Sequence, residues 1–283
     1  MHPTNQKDYI FRMTTISINT DSCIKCGKCT KVCPPHIFMQ LEKLTPVRVV
    51  KADNCILCGH CVDVCPKAAI EHSEISYEKV HKIDYHNMPS AEQLMNLMHA
   101  RRSNRTFTDR SLQDGEVEQI IEAGYYAPTA VNNRMVKITR VNDAERLEKV
   151  KDYVLDTFGD MAKKMRESGE EASADGYFGA AMLEGLVKAA KRGKDPILRG
   201  CKELIVFTSN HRMGLRDSQL AYQNCSLMAQ VLGISQVYLG YVCNAYEEGD
   251  KQKLKDILGV EDEIQAVMAI GIPAFRYTNY TER

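Results

Sequence analysis

The run Cys23-x-x-Cys26-x-x-Cys29-x-x-x-Cys33-Pro34 recurs as Cys55-x-x-Cys58-x-x-Cys61-x-x-x-Cys65-Pro66 and takes up eight of the eleven cysteines. Three thiolates spaced by two residues can wrap one iron–sulfur cube, and the fourth, carried past by a turn and a proline, reaches the other cube. The spacing therefore predicts two [4Fe–4S] clusters. Cys23, Cys26, Cys29 and Cys65 are expected on one, and Cys55, Cys58, Cys61 and Cys33 on the second. Such a chain passes electrons. Structural zinc takes two separated C-x-x-C pairs and has no use for a third cysteine two residues on. A secreted disulfide framework is not expected either, since residues 1–13 carry Lys7, Asp8 and Arg12 and no apolar core.

The repeat reaches beyond the ligands: Gly27 matches Gly59, Ile24 matches Ile56, and Val32 matches Val64. A glycine between ligands allows a positive φ and brings backbone N–H groups close to cluster sulfur. Pro34 and Pro66 fix φ and turn the chain toward the opposite cluster. Ile24, Val32, Ile37, Ile56, Val64 and Ile70 are expected to pack around the cubes. Residues 14–73 thus resemble a bacterial two-cluster ferredoxin. Lys25, Lys28, Lys31, Lys51 and Lys67 lie on or beside the loops, as a solvated basic rim or as a docking face for an acidic donor.

At 283 residues the chain has room for one further domain, and 44% hydrophobic content supports its core. Lys+Arg and Asp+Glu balance at 37 each, so global charge favours neither nucleic acid nor an anionic membrane. The longest apolar stretch near the C-terminus, 266–275, is too short to cross a bilayer. Free thiols and oxygen-sensitive clusters point to a reducing cytoplasm. Residues 74–89 read as a polar linker, with His72, His81 and His86 in no ligand pattern.

From Ser90 onward the periodicity changes. A helix is expected from a Ser90 cap to about Arg101, with Leu94, Met95, Leu97 and Met98 inward. Further helices are expected from Asp114, from Asn142 or Asp143, over 217–232 and over 251–258. Strands are expected over 136–141, 203–208, 236–239 and 264–270. Neither G-x-G-x-x-G nor G-x-x-x-x-G-K occurs. Clusters pass single electrons and most organic substrates need two, which calls for a flavin. Arg101-Arg102-Ser103-Asn104-Arg105 supplies guanidinium forks and a hydroxyl for its phosphate. Cys201, Cys225 and Cys243 read as small buried hydrophobes, and His211 as a loop histidine or a proton donor.

Arg101-Arg102-Ser103-x-Arg105-x-Phe107 resembles the phosphate motif of the flavin mononucleotide (FMN)-dependent nitroreductase family. Ala127-Pro128-Thr129-Ala130-Val131-Asn132-Asn133-Arg134 resembles that family's second motif, 217–224 its long interface helix, 234–240 the following strand, and Gly271-Ile272-Pro273 its closing element. The resemblance covers 90–283 and implies an α+β domain with a central mixed sheet behind the ferredoxin. It implies FMN contacts from Arg101, Arg102, Ser103, Arg105, Pro128, Asn132, Leu239 and Gly240. Arg283, or Arg276 in its stead, would complete the phosphate site, and no catalytic side chain is required. The family's Asn-x-Gln-Pro-Trp is Asn132-Asn133-Arg134-Met135-Val136 here.

The resemblance further implies a homodimer that takes electrons from ferredoxin, flavodoxin or NAD(P)H, passes them through the clusters to FMN, and reduces a small acceptor such as a nitroaromatic or quinone. The alternatives are a non-catalytic carrier that relays electrons to a partner protein, and NAD(P)H oxidation with the clusters as exit. Residues 159–200 read equally as a lid or as an ordinary excursion.

Overall fold

The structure, a computed structural model, describes residues 14–169, 176 and 178–282, so Arg283 lies outside the described residues. The described residues divide into two compact units: the first comprises those up to 88 with 130–133, the second those of 89–129 and from 134 onward.

In the first unit β1 (Ile16–Ile18) is followed by α1 (Lys28–Val32), β2 (Phe38–Met39), β3 (Arg48–Val49), α2 (His60–Asp63) and β4 (Ile70–His72). β1 pairs antiparallel with β4, and β2 with β3. The halves of the repeat share one backbone path. Gly27 and Gly59, at φ 68° and 78°, launch α1 and α2, and left-handed residues recur at Lys25 and Leu57 and at His36 and Ala68. Left-handed backbone costs a non-glycine residue about 1–2 kcal/mol, so the cysteine loops are held open against local preference. Ile37, Phe38, Val47, Val62 and Ile70 form the core with Cys33 and Cys61. Ile24, expected inside, is half exposed instead, and Val62, Phe38 and Val47 do the packing. The stretch expected as a linker joins this unit through Met88: Ile75 and Val80 pack on its core, with 3-10 turns at Tyr77–Lys79 and Tyr85–Asn87.

The second unit runs α3 (Ala91–Ala100), α4 (Asp114–Tyr125), β5 (Lys137–Val141), α5 (Ala144–Ser168), α6 (Ala180–Lys191), β6 (Glu203–Thr208), α7 (Gly214–Val231), β7 (Ser235–Tyr238), α8 (Gly240–Glu248), α9 (Lys251–Leu258) and β8 (Ile264–Gly271). Ser90 and Gln93 close a reciprocal capping box on α3, while Asp143 and Asp250 cap α5 and α9. The sheet order is β5-β6-β8-β7. The expected mixed sheet is antiparallel through every named strand, and among the described residues parallel pairing enters as the isolated bridge Ser103–Gln236.

Both faces of the sheet are covered, which is why β6 and β8 read as continuous apolar runs. Leu204, Val206, Val267 and Ala269 face the core built by α5, α6, α8 and α9. Ile205, Phe207, Ala266, Met268 and Ile270 face the core built by α4 and α7. Fully buried Phe158 meets Phe178 and Tyr241 at 5.4 and 5.6 Å between ring centres. The described parts of 159–200 therefore pack into the core: Ala162, Met165 and Leu183 are buried there. Helix α3 departs from expectation. None of its residues is buried, and Leu94, Met95 and Met98 are exposed, because no element among the described residues covers that face.

Candidate functional site

In the first unit Cys23, Cys26, Cys29 and Cys65 line one cavity, floored by Ile18 and Ile70. Cys33, Cys55, Cys58 and Cys61 form a second group whose charges act on one another. Burial pushes the Cys61 thiol up to about 12, and the neighbouring Cys55, Cys58 and Cys33 add to the effect. Burial likewise raises Cys55 and Cys29, each with two cysteines of its own group contributing. Such thiols are protonated when free, so metal binding must expel protons and is favoured by higher pH.

Backbone N–H groups point at sulfurs of both groups, among them Leu57 to Cys55 at 3.4 Å, Ile37 to Cys33 at 3.5 Å and Ala69 to Cys65 at 3.3 Å. Two groups of four thiols with backbone N–H donors around their sulfurs suit iron–sulfur cubes.

His72 is a participant that the sequence pattern does not show. Its Nδ1 accepts from Glu74 N at 3.1 Å, which leaves Nε2 protonated, 3.5 Å from Cys55 Sγ. The β1–β4 pairing, rather than any ligand spacing, carries it there. Lys25, Lys28, Lys31, Lys51 and Lys67 are all exposed.

In the second unit the stretch 101–107 is stitched to two distant segments. Ser103 bridges Gln236 of β7, and Phe107 bridges Pro273. Thr108 N donates to Ile272 O at 2.8 Å, and Ala274 N to Thr106 O at 3.0 Å. Asn104, which carries no role in the sequence reading, is the pin. It is 3% exposed, and its amide donates to Ser235 Oγ and to Phe275 O at 3.1 and 3.2 Å. Gly271 is required in this seam: a Cβ there would stand 2.8 Å from the Phe107 ring.

The seam brings Arg102 and Arg276 to one cavity of about 360 Å³, with Asn104, Gly233, Ser235 and Tyr277. Arg102 stacks over the Tyr277 ring at 5.8 Å, and the Arg276 guanidinium lies over Gly233. Arg101 caps α3 and acts on Tyr222 of α7, whose phenol burial pushes up and the guanidinium pulls back. Arg105 is exposed, with Nη1 3.3 Å from Ser103 O. Leu239 is buried and Gly240 opens α8, whose first N–H groups have no carbonyl within the helix to bond. Pro128 is exposed, and Asn132 belongs to the first unit, where its amide donates to Ile56 O and Leu57 O. His211 is tied to the start of α7, its Nδ1 accepting from Met213 N at 3.2 Å.

A sequence model of the nitroreductase family matches residues 98–272, more than half of the chain. The chain belongs to the nitroreductase family. Ahead of this nitroreductase domain, residues 22–70 match the 4Fe-4S dicluster domain. A protein of Archaeoglobus fulgidus named for NADH dehydrogenase/NAD(P)H nitroreductase is 28% identical over 64% of this chain and 86% of its own. An NADPH-dependent oxidoreductase of Staphylococcus saprophyticus is 25% identical over 65% of this chain and 66% of its own. Nitroreductases with bound FMN from Bacteroides fragilis and Desulfitobacterium hafniense share the fold. Each has a TM-score of 0.53 at 18% identity; they cover 68% and 67% of this chain, and 95% and 93% of their own.

The donor set of the nitroreductase domain fits a phosphorylated flavin. Two guanidiniums converge on one polar cavity, and Gln236 Nε2, beside Ser103, is buried without an acceptor among the described residues. No helix among the described residues is long and apolar enough to cross a membrane.

Proposed function

We propose that the protein is an iron–sulfur flavoprotein oxidoreductase that carries single electrons from a donor through two [4Fe–4S] clusters to FMN and on to a small organic acceptor. The observation that carries this reading is the coexistence of two complete cysteine groups with a nitroreductase domain whose arginines converge on one cavity. Cys23, Cys26, Cys29 and Cys65 hold one cluster; Cys33, Cys55, Cys58 and Cys61 hold the other. Arg102 and Arg276 grip the flavin phosphate, and Arg101, Ser103 and Arg105 support them. Pro128, Leu239 and Gly240 remain the expected contacts nearer the ring, with the N–H end of α8 favouring negative charge there. FMN, when bound, supplies the conversion between one-electron and two-electron chemistry.

The open face of α3, with Leu94, Met95 and Met98, and exposed Leu215 and Leu220 of α7 support a homodimer in which a second copy covers them. The exposed lysines around the cysteine loops suit an acidic electron donor, and the free cysteines suit a reducing cytoplasm. A second reading, direct oxidation of NAD(P)H by the flavin with the clusters as exit, is favoured by the names of both curated relatives. Anaerobic flavin bleaching, assayed separately with reduced ferredoxin and with NAD(P)H, decides between them. Bleaching by ferredoxin that disappears in Cys29→Ser, with flavin still bound, supports the first reading; bleaching by NAD(P)H alone supports the second.

A further inference from the structure

The two cysteine loops are braced differently. In the first loop Lys25, left-handed at φ 57°, has its carbonyl held by Gln40 Nε2 at 2.9 Å. The matching residue of the second loop, Leu57 at φ 54°, has its carbonyl held at 2.9 Å by Nδ2 of Asn132, a residue far outside the repeat. His72 occupies the place of Gln40 in the second half, but its ring turns to Cys55 Sγ. The brace that the repeat supplies to its first loop is thus supplied to its second by the segment Ala130–Asn133, which packs within the first unit.

Asn132 also touches the peptide that faces the thiolate. Its Nδ2 donates to Ile56 O at 3.0 Å, and the N–H of that same peptide group, on Leu57, donates to Cys55 Sγ at 3.4 Å. In a planar trans peptide the C=O and N–H dipoles are aligned, so a donor on the oxygen polarises the N–H and strengthens its bond to sulfur. Hydrogen bonds to cluster sulfurs are among the factors that set reduction potential. Val131 and Asn132 follow a left-handed path at φ 49° and 54°, a conformation that persists only where its surroundings enforce it.

We propose that Asn132 is a positioning residue for the second cluster: its side-chain amide fixes the Ile56–Leu57 peptide so that the Leu57 N–H is aimed at Cys55, which raises that cluster's potential relative to an unbraced loop. The assignment rests on the reading that Cys33, Cys55, Cys58 and Cys61 hold a cluster. It differs from the flavin contact that the resemblance implies for this asparagine.

The test is a spectroelectrochemical titration of the full-length holoprotein, followed by electron paramagnetic resonance, for the parent, Asn132→Ala and Gln40→Ala. Weaker donation to sulfur disfavours the more negative reduced cluster. In Asn132→Ala one midpoint should therefore fall so that the reduced-to-oxidised ratio at fixed potential drops at least threefold, about 28 mV at 59 mV per decade, while the other midpoint stays. Gln40→Ala, which releases the first loop, should leave the midpoint that responds to Asn132 in place. Loss of one cluster alone from Asn132→Ala, iron falling from about eight to about four, equally supports the positioning role. Unchanged midpoints with full iron, or equal shifts of both, would overturn it, as would weakened FMN binding with both midpoints unmoved. Should the alanine variant not fold, Asn132→Ser is judged by the same criteria. An iron content near four in the parent would instead remove the two-cluster reading, and that measurement comes first.

Discussion

Replacing Arg102 by alanine removes one of two guanidiniums that converge on the same cavity of the nitroreductase domain. A hydrogen bond to a charged group contributes about 1.5–3 kcal/mol, so the Kd for FMN should rise about tenfold to 150-fold at 1.4 kcal/mol per decade. Arg276→Ala should produce a loss of the same order. Within the cavity the two like charges repel when no anion lies between them, so the flavin-free fold should not suffer from either replacement. Arg102→Ala gives up its stacking on Tyr277, about 0.5–1 kcal/mol. Ligand stabilisation and intrinsic stability should therefore separate. The double variant should lose less than the sum of the single losses, because each single variant already relieves the repulsion felt by the other arginine. The assay is a fluorescence titration of FMN into flavin-stripped protein, with unfolding of the same samples recorded with and without FMN. Iron content should not change, since both residues lie outside the cysteine loops. If both single variants bind FMN within twofold of the parent while remaining folded, this cavity does not hold the phosphate.

Gly124→Ala should lower stability by about 1–2 kcal/mol: a Cβ there would stand 2.6 Å from both Cys225 Sγ and Ile138 Cδ1, and the overpacking outweighs the roughly 1 kcal/mol of helix propensity gained. The urea midpoint measures it, Cys225→Ala in the same chain should recover part of the loss, and a more stable single variant would contradict the α4–α7 packing. Arg140→Met leaves Glu203, 5% exposed, without its 2.7 Å partner. The loss should be about 3 kcal/mol, the low end for a broken buried pair because Arg140 is itself partly exposed, and Glu203→Gln in the same chain should restore part of it. Burial raises Cys201 and Cys225 to about 12, above an unfolded value of about 8.5. A raised folded value means that their contribution is complete below about pH 8.5 and is lost as pH climbs toward 12. The unfolding free energy followed by circular dichroism should fall between about pH 8 and pH 10, and alanine at both positions should flatten that slope.

The cysteine repeat was legible because its C-x-x-C-x-x-C spacing is local: three thiols of each group are near neighbours in the chain, while the fourth, Cys65 or Cys33, crosses over from the other half of the repeat. Helix starts were legible for a similar reason, since Ser90, Asp143 and Asp250 cap through bonds to residues three positions on. β6 and β8 were legible as continuous apolar runs because both of their faces are buried. Helix α8 was not, having a mixed pattern and no capping side chain. The apolar stripe of α3 was read as facing a core, but a stripe records that a face must be covered and not what covers it.

The functional residues that the sequence did not reveal all act across long separations. Asn104 pins Ser235 and Phe275, and His72 reaches Cys55 only through strand pairing; Arg276, expected only in place of Arg283, lines one cavity with Arg102 because the Phe107–Pro273 seam brings both there. Asn132 followed a family motif in the sequence, yet its amide lies on the loop of Cys55 and Cys58. By itself the sequence determined which metals' chemistry the chain can support, where its helices begin and which strands are buried, since these depend on residues a few positions apart. Tertiary structure alone decided which arginine joins Arg102, which histidine meets a thiolate and which loop Asn132 braces. Those pairings join residues 17 or more positions apart, and no short-range preference encodes them.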